Sequence, residues 1–154
     1  MLGQKVRHDG NHKKADDILD FFSLHCELIA VCPEMEIGLG SPRNPIQINI
    51  INHQQRLIMP ATGDDLSDKI SGYAKRKIHS LLDHGICGFI LKSKSPSCGL
   101  GSVAVHKDGN KVRTNENGFF ARHLKDIPLR EESELLSTES REQFLAELRG
   151  NETN

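Results

Sequence analysis

Two cysteines stand where a thiol can do chemistry. Cys32, in "CPEMEIGLGSPRNP", directly follows the apolar run "ELIAV", and Cys98 lies in "SKSPSCGLG", the loop that directly follows "GFILK". Both lie at the exits of predicted strands, in loops carrying Pro, Gly, Ser and Glu, where backbone NH groups and hydroxyls can face a ligand. An ionised thiol is a nucleophile and a soft metal ligand. Glu34, two residues beyond Cys32, adds a carboxylate, and Ser95 and Ser97 add hydroxyls beside Cys98. Blander readings stand beside this one. A strand-end cysteine can be simply packed, Glu34 can be a surface carboxylate, and "KSKSPSCGLG" can be a turn or a weak phosphate cradle. That loop carries neither GxGxxG nor GxxxxGK[ST], so a nucleotide site has no support. The residues alone describe a crevice with two thiols, a carboxylate and several hydroxyls.

The other candidates weaken on inspection. Cys26 and Cys87 lie beside Leu, Ile and Phe, and free cysteine is among the most buried residue types, so they read as inert core. The four cysteines form no CxxC pair, which argues against a zinc ribbon, a redox motif or a disulfide framework. The eight histidines form no HExxH pattern, and His12, His25, His79, His84 and His123 read as surface residues of polar helical surroundings. A zinc site built from Cys32, Cys98 and a histidine is an alternative without ligand spacing to support it.

These groups need elements to hold them. "NHKKADDILDFFSLH", from Asn11 to about His25, places Ile18, Leu19 and Phe22 on one helical face. "ELIAV" is strand-like, and "IQINIINHQQRLIMP" alternates like two strands around a polar turn at Asn52–Gln55. "TGDDLSDKISGYAKRKIHSLLDHG" is the clearest helix, with Thr62 or Asp64 as its cap. Its apolar stripe is Ile70, Tyr73, Ala74, Ile78, Leu81 and Leu82, and Gly85 is its stop. "ICGFILK" reads as a buried strand, and "VAVHKDGNKVRT" as two strands about a DG turn. A short helix is expected near Asn117–Leu124 and a terminal helix over "STESREQFLAELR", followed by a frayed "GNETN". Alternating helices and short apolar strands predict an α/β fold, a three-layer domain with a mostly parallel sheet. In such sheets ligands bind beyond the carboxyl ends of the strands, where the Cys32 and Cys98 loops meet.

Length and charge bound the rest. A chain of 154 residues is of single-domain length, and its net charge of −1 leaves no electrostatic footprint for nucleic acid or an anionic membrane. No apolar run approaches the roughly 20 residues that span a bilayer, and no signal peptide is visible. A cytoplasmic protein acting on a small molecule is expected; oligomeric state is not encoded.

Taken together, "RHDG", "VCPE", "GLGSPRNP", "TGDD" and "LKSKSPSCG" resemble, in order, the bacterial family that includes the thiouracil desulfidases (TudS-like proteins). The likeness runs from Gly3 to about Leu136, so residues 1–136 are expected to form the desulfidase-like domain and 137–154 a C-terminal helix and tail. The resemblance implies a Rossmann-like domain and a [4Fe-4S] cluster held by three cysteines, its fourth iron open to the sulfur of a thiolated nucleobase. Two ligand positions match Cys32 and Cys98. Glu34 matches the catalytic carboxylate, where it can activate water, and Ser95 the catalytic hydroxyl. Arg7, Asp9, Arg43 and Ser97 are the candidate substrate-binding residues. For Arg7, Asp9 and Arg43, bracing of the loops by charge-assisted hydrogen bonds is the favoured role.

One departure stands out. In the family the first ligand lies in S-x-C-[LM]-L-G, just after the first strand, whereas here the sequence opens at "MLG". The expectation is that this strand and cysteine belong ahead of Met1, which makes the 154 residues a truncated form, inactive as given. The alternatives are a short paralogue without the cluster, or a cluster-free scaffold of the same fold that binds a small molecule.

Overall fold

The structure, a computed structural model, describes residues 16–151. Two tight turns set its larger sheet. Strands β1 (Gln47–Ile51) and β2 (Gln54–Met59) are joined through Asn52 and His53, at φ 50° and 64°. That left-handed pair matches the twist of an antiparallel hairpin, and asparagine tolerates it better than most residues. After β3 (Asp64–Asp65), Asp108 and Gly109 make the same turn at φ 49° and 79°, later in the chain. Helix α3 (Ser67–Asp83) and strand β4 (Phe89–Leu91) lie between, and this second turn joins β5 (Val103–Lys107) to β6 (Asn110–Glu116). The sheet order is β3-β2-β1-β5-β6. A separate two-stranded sheet pairs β4 with β7 (Leu129–Glu131) in parallel, Phe89 opposite Leu129 and Leu91 opposite Glu131.

The protein is therefore mixed α/β, but its main sheet is not the mostly parallel one expected. Among the described residues, parallel pairing is confined to β1–β5 and β4–β7. The cause is local. A two-residue link can join only antiparallel neighbours, and the two hairpins supply four of the five strands. The strand expected over "ELIAV" also differs, because residues 27–31 join no ladder. An apolar extended sequence becomes a strand only when another backbone takes its N–H and C=O groups. Here a cavity of about 420 Å³ separates Leu28–Val31 from Gly88–Leu91.

Helix α1 (Asp16–Ser23) buries Ile18 and Phe22 against Phe144, Leu145 and Leu148 of α4 (Thr138–Asn151), which forms the second of three core clusters. In α3, Ile70, Ala74, Ile78 and Leu81 recur every three or four residues and are buried, as an amphipathic helix requires. Gly85 follows its end at φ 78°. Its expected caps are not used. Asp64 and Asp65 extend to pair with Met59 and Ile58, so the helix starts only at Ser67, whose N–H donates to Asp65 Oδ1 at 2.9 Å. The short helix expected near Asn117–Leu124 is a single 3-10 turn, Ala121–His123. No described helix is long and apolar enough to cross a membrane.

Candidate functional site

Two loops approach each other beyond β4 and residues 27–31. The first begins at Cys32, whose carbonyl accepts from the Glu36 N–H at 3.0 Å, opening the one-turn helix α2 (Pro33–Glu36). Proline at its first position suits an N–H that would lack an intrahelical partner anyway. This turn carries Glu34 inward. Arg43, with a side chain only 4% exposed, grips Glu34 Oε2 through Nε at 2.8 Å and Nη2 at 2.7 Å. Its Nη1 donates to the Gly40 carbonyl at 2.7 Å. Arg43 thus ties both ends of the "CPEMEIGLGSPR" loop together, which is bracing in the physical sense.

The second loop supplies hydroxyls and a thiol. Ser97, buried, donates to Glu34 Oε1 at 2.7 Å, across 63 residues of sequence. The Ser95 and Ser97 hydroxyls are 3.0 Å apart, and the Cys98 N–H donates to Ser95 Oγ at 3.2 Å. The Cys98 thiol lies 3.6 Å from Ser97 Oγ. Burial pushes the Cys98 thiol up to about 12; Ser97 pulls against this, while negative charge at Glu34 and Cys32 reinforces it. Carboxylate, two hydroxyls and thiol thus form one connected chain, and Cys32 and Cys98 line the same cavity. Cys26 and Cys87 are half-buried and pack against the second core, with Phe22 and Leu148.

The loop is held from behind. Gly118 passes so close that a Cβ there would lie 2.4 Å from the Ser97 carbonyl group and 2.7 Å from the Cys98 nitrogen. Phe120 N–H donates to the Ser97 carbonyl at 2.8 Å. Glu132, just past β7, accepts from Lys92 Nζ at 2.8 Å, Ser93 N–H at 2.6 Å and Ser93 Oγ at 2.9 Å. Its neighbour Glu131 accepts from the Leu100 N–H at 2.7 Å and from the Ser102 hydroxyl. Sequence reasoning missed both acids, because "REESE" reads as a solvated charged run; their position at the end of a strand was the one available signal. Arg7 and Asp9 lie outside the described residues. Among the described residues no group of three His, Cys, Asp or Glu side chains converges as a metal site.

Fold and site together define a mixed α/β protein with thiol, carboxylate and hydroxyl groups gathered where two loops meet. The chain belongs to the 2-thiouracil desulfurase family, whose sequence pattern matches residues 1–134. Its fold is similar to that of a [4Fe-4S]-dependent thiouracil desulfidase, TudS, with a TM-score of 0.68 and 29% identity, over 87% of each chain. It is also 26% identical to the uncharacterized protein YbbK of Bacillus subtilis (strain 168) over 138 residues, 86% of this chain and 89% of the relative.

Proposed function

We propose that this protein removes sulfur from a small thiolated compound of the thiouracil kind. Cys32 and Cys98 serve as two thiolate ligands of an iron–sulfur cluster, and Glu34 and Ser95 act on the substrate. The observation that carries the reading is the continuous path from Glu34 through Ser97 to Ser95 and Cys98, with each link between 2.7 and 3.6 Å.

The donor chemistry fits such a cluster in part. Iron–sulfur clusters take thiolate ligands, and the two half-buried thiols that end this cavity fit two of its corners. When bound, a cluster with an open iron supplies a Lewis acid for the C=S sulfur. The remaining steps belong to the chain. Arg43 fixes the Glu34 carboxylate by one oxygen, so its other oxygen is aimed at the Ser97 hydroxyl and can take a proton from water attacking the carbon. Ser97 and Ser95, 3.0 Å apart, can pass that proton onward or hold the ring. Arg43 acts through Glu34 rather than on the ring. The parallel β4–β7 pair is the part of the fold that supports a Rossmann-like reading. The reducing cytoplasm, where thiols persist, suits this chemistry.

Anaerobic reconstitution with iron and sulfide tests the reading. The expected result is broad visible absorption and sulfide release from 2-thiouracil. Cys32→Ala and Cys98→Ala should lose the absorption, while Glu34→Gln keeps it and loses release. A protein that stays colourless overturns the assignment. A cluster-free binding scaffold is the second reading, favoured by the lack of a third converging ligand among the described residues. Calorimetric binding of uracil by the colourless protein would support it.

A further inference from the structure

The loop that carries Ser95, Ser97 and Cys98 turns on a strained residue. Lys94 has φ 59°, and among the described residues it is the one non-glycine in either loop of the site with a positive φ. For a lysine this left-handed conformation is costly, because Cβ crowds the following carbonyl. Such a residue persists only where its surroundings over-determine it, and such residues gather at functional sites. Here one hydroxyl does the holding. The Lys94 N–H donates to Ser102 Oγ at 2.8 Å, and the same hydroxyl donates to Glu131 Oε1. That carboxylate oxygen also accepts the Leu100 N–H at 2.7 Å. Glu131 is buried at the end of β7, and its own N–H donates to Glu134 Oε2 at 2.7 Å. Ser102 and Glu131 thus tie the entry of the loop, at Lys94, to its exit, at Leu100. Residues 95–99 lie between the ties, with the Gly99 N–H on the Ser95 carbonyl at 2.8 Å and the Cys98 N–H on Ser95 Oγ at 3.2 Å. A Cβ added at Gly99 would lie 3.1 Å from Ser102 Oγ, so the loop sits directly against the tie.

We propose that Ser102 and Glu131 are positioning residues, which hold Lys94 in its left-handed conformation and thereby set the Ser95 hydroxyl and the Cys98 thiol in place. This deepens the sulfur-site reading above, from which Ser95 and Cys98 take their roles. Ser95 follows Lys94 directly, so a Lys94 that relaxes to negative φ redirects the chain at Ser95. Both the Cys98 N–H and the Ser97 hydroxyl lean on Ser95 Oγ and move with it. A tie that only added stability would protect every cysteine of the fold alike. A tie that holds a strained turn protects Cys98 in particular, and it becomes dispensable once the strain is removed. Glycine removes that strain, since it adopts the left-handed region without steric cost.

Iodoacetamide labelling of the empty, folded protein at pH 8, read by peptide mass spectrometry, separates the two roles. Ser102→Ala should label at Cys98 about five- to tenfold faster than wild type, the factor for one lost hydrogen bond, with Cys26 and Cys87 unchanged. Adding Lys94→Gly to Ser102→Ala should restore most of the protection. Glu131→Gln keeps an acceptor for the Leu100 N–H and should give a smaller rise, again at Cys98 alone. Equal acceleration at Cys26, Cys87 and Cys98, an unchanged rate at Cys98, or no rescue by Lys94→Gly overturns the assignment and leaves the desulfidase reading standing. After anaerobic reconstitution with iron and sulfide, Ser102→Ala should also release sulfide from 2-thiouracil several-fold more slowly. A wild-type protein that builds no chromophore overturns the desulfidase reading, while the labelling of the empty protein decides the role of Ser102 and Glu131 by itself.

Discussion

Arg43 holds one oxygen of Glu34 by two nitrogens, at 2.7 and 2.8 Å, and so reserves the other oxygen for Ser97. The pair is nearly sealed from solvent, with side-chain exposures of 4% and 12%. Breaking a buried pair leaves an uncompensated charge, which costs about 3–5 kcal/mol. Arg43→Ala should therefore lower unfolding stability by roughly 3 kcal/mol in urea. Arg43→Lys should recover part of that but not the two-point grip, and should leave Glu34 poorly oriented. A loss below about 0.5 kcal/mol for Arg43→Ala would mean that the grip is incidental.

Glu132 ties the loop after β4 to the end of β7. Burial alone would raise its carboxyl, but the hydrogen bonds from Lys92 and Ser93 outweigh it and hold the group below its ordinary 4.5. A carboxylate lowered on folding contributes stability that is present above the unfolded value and lost as the pH falls through the folded one. Acid unfolding should therefore set in below about pH 4.5, and Glu132→Gln should flatten the slope there while costing stability at pH 7. Equilibrium unfolding at pH 3, 4, 5 and 7 checks both arms.

The Cys98 thiol is pushed up to about 12 by burial, so at pH 8 only about one in ten thousand of these thiols is ionised. Iodoacetamide at pH 8 should leave Cys98 unmodified in the folded, metal-free protein and label it after urea unfolding, as read by peptide mass spectrometry. A thiol raised on folding adds stability below its unfolded value, near 8.5, that is lost as the pH rises further. Alkaline destabilisation between about pH 9 and 12 should thus be reduced in Cys98→Ala.

Gly118 and Gly109 separate two reasons for a glycine. At Gly109, φ is 79° and nothing lies within 4 Å of an added Cβ, so Gly109→Ala should cost only the left-handed backbone penalty, about 1–2 kcal/mol. At Gly118 an added Cβ meets the Ser97 and Cys98 backbone, which cannot swing aside. Gly118→Ala should cost about 2 kcal/mol or more and also disturb the Ser97–Glu34 contact. Cluster loading should fall for Gly118→Ala and be unchanged for Gly109→Ala.

Where a signal is local, the sequence carries it. The Asn52–His53 and Asp108–Gly109 turns and the apolar stripe of α3 are legible because turn chemistry and helical period act over a few residues. Ser95, Ser97 and Cys98 share a loop, so their proximity is legible too. The Glu34–Ser97 contact spans 63 residues, and the residues alone foretell it only through the rule that strand ends converge, beside what the family resemblance implies. The buried role of Glu132 depends wholly on Lys92 and Ser93. Residues 27–31 mislead for the opposite reason: their composition says strand, while pairing depends on a neighbour that composition does not supply.

The three cores draw on the chain in different ways, and this sets an order of events during synthesis. The first is built from residues between Ile37 and Phe119, so it can assemble before the last part of the chain has emerged from a ribosome. The second joins Ile18 and Phe22 to Leu135, Phe144, Leu145 and Leu148, contacts of very long sequence separation. Phe22, Phe144 and Leu148 also wall the cavity onto which Cys32 and Cys98 open. The thiol-bearing chamber is therefore completed only once α4 docks, well after Cys32 has been made and about forty residues after Cys98.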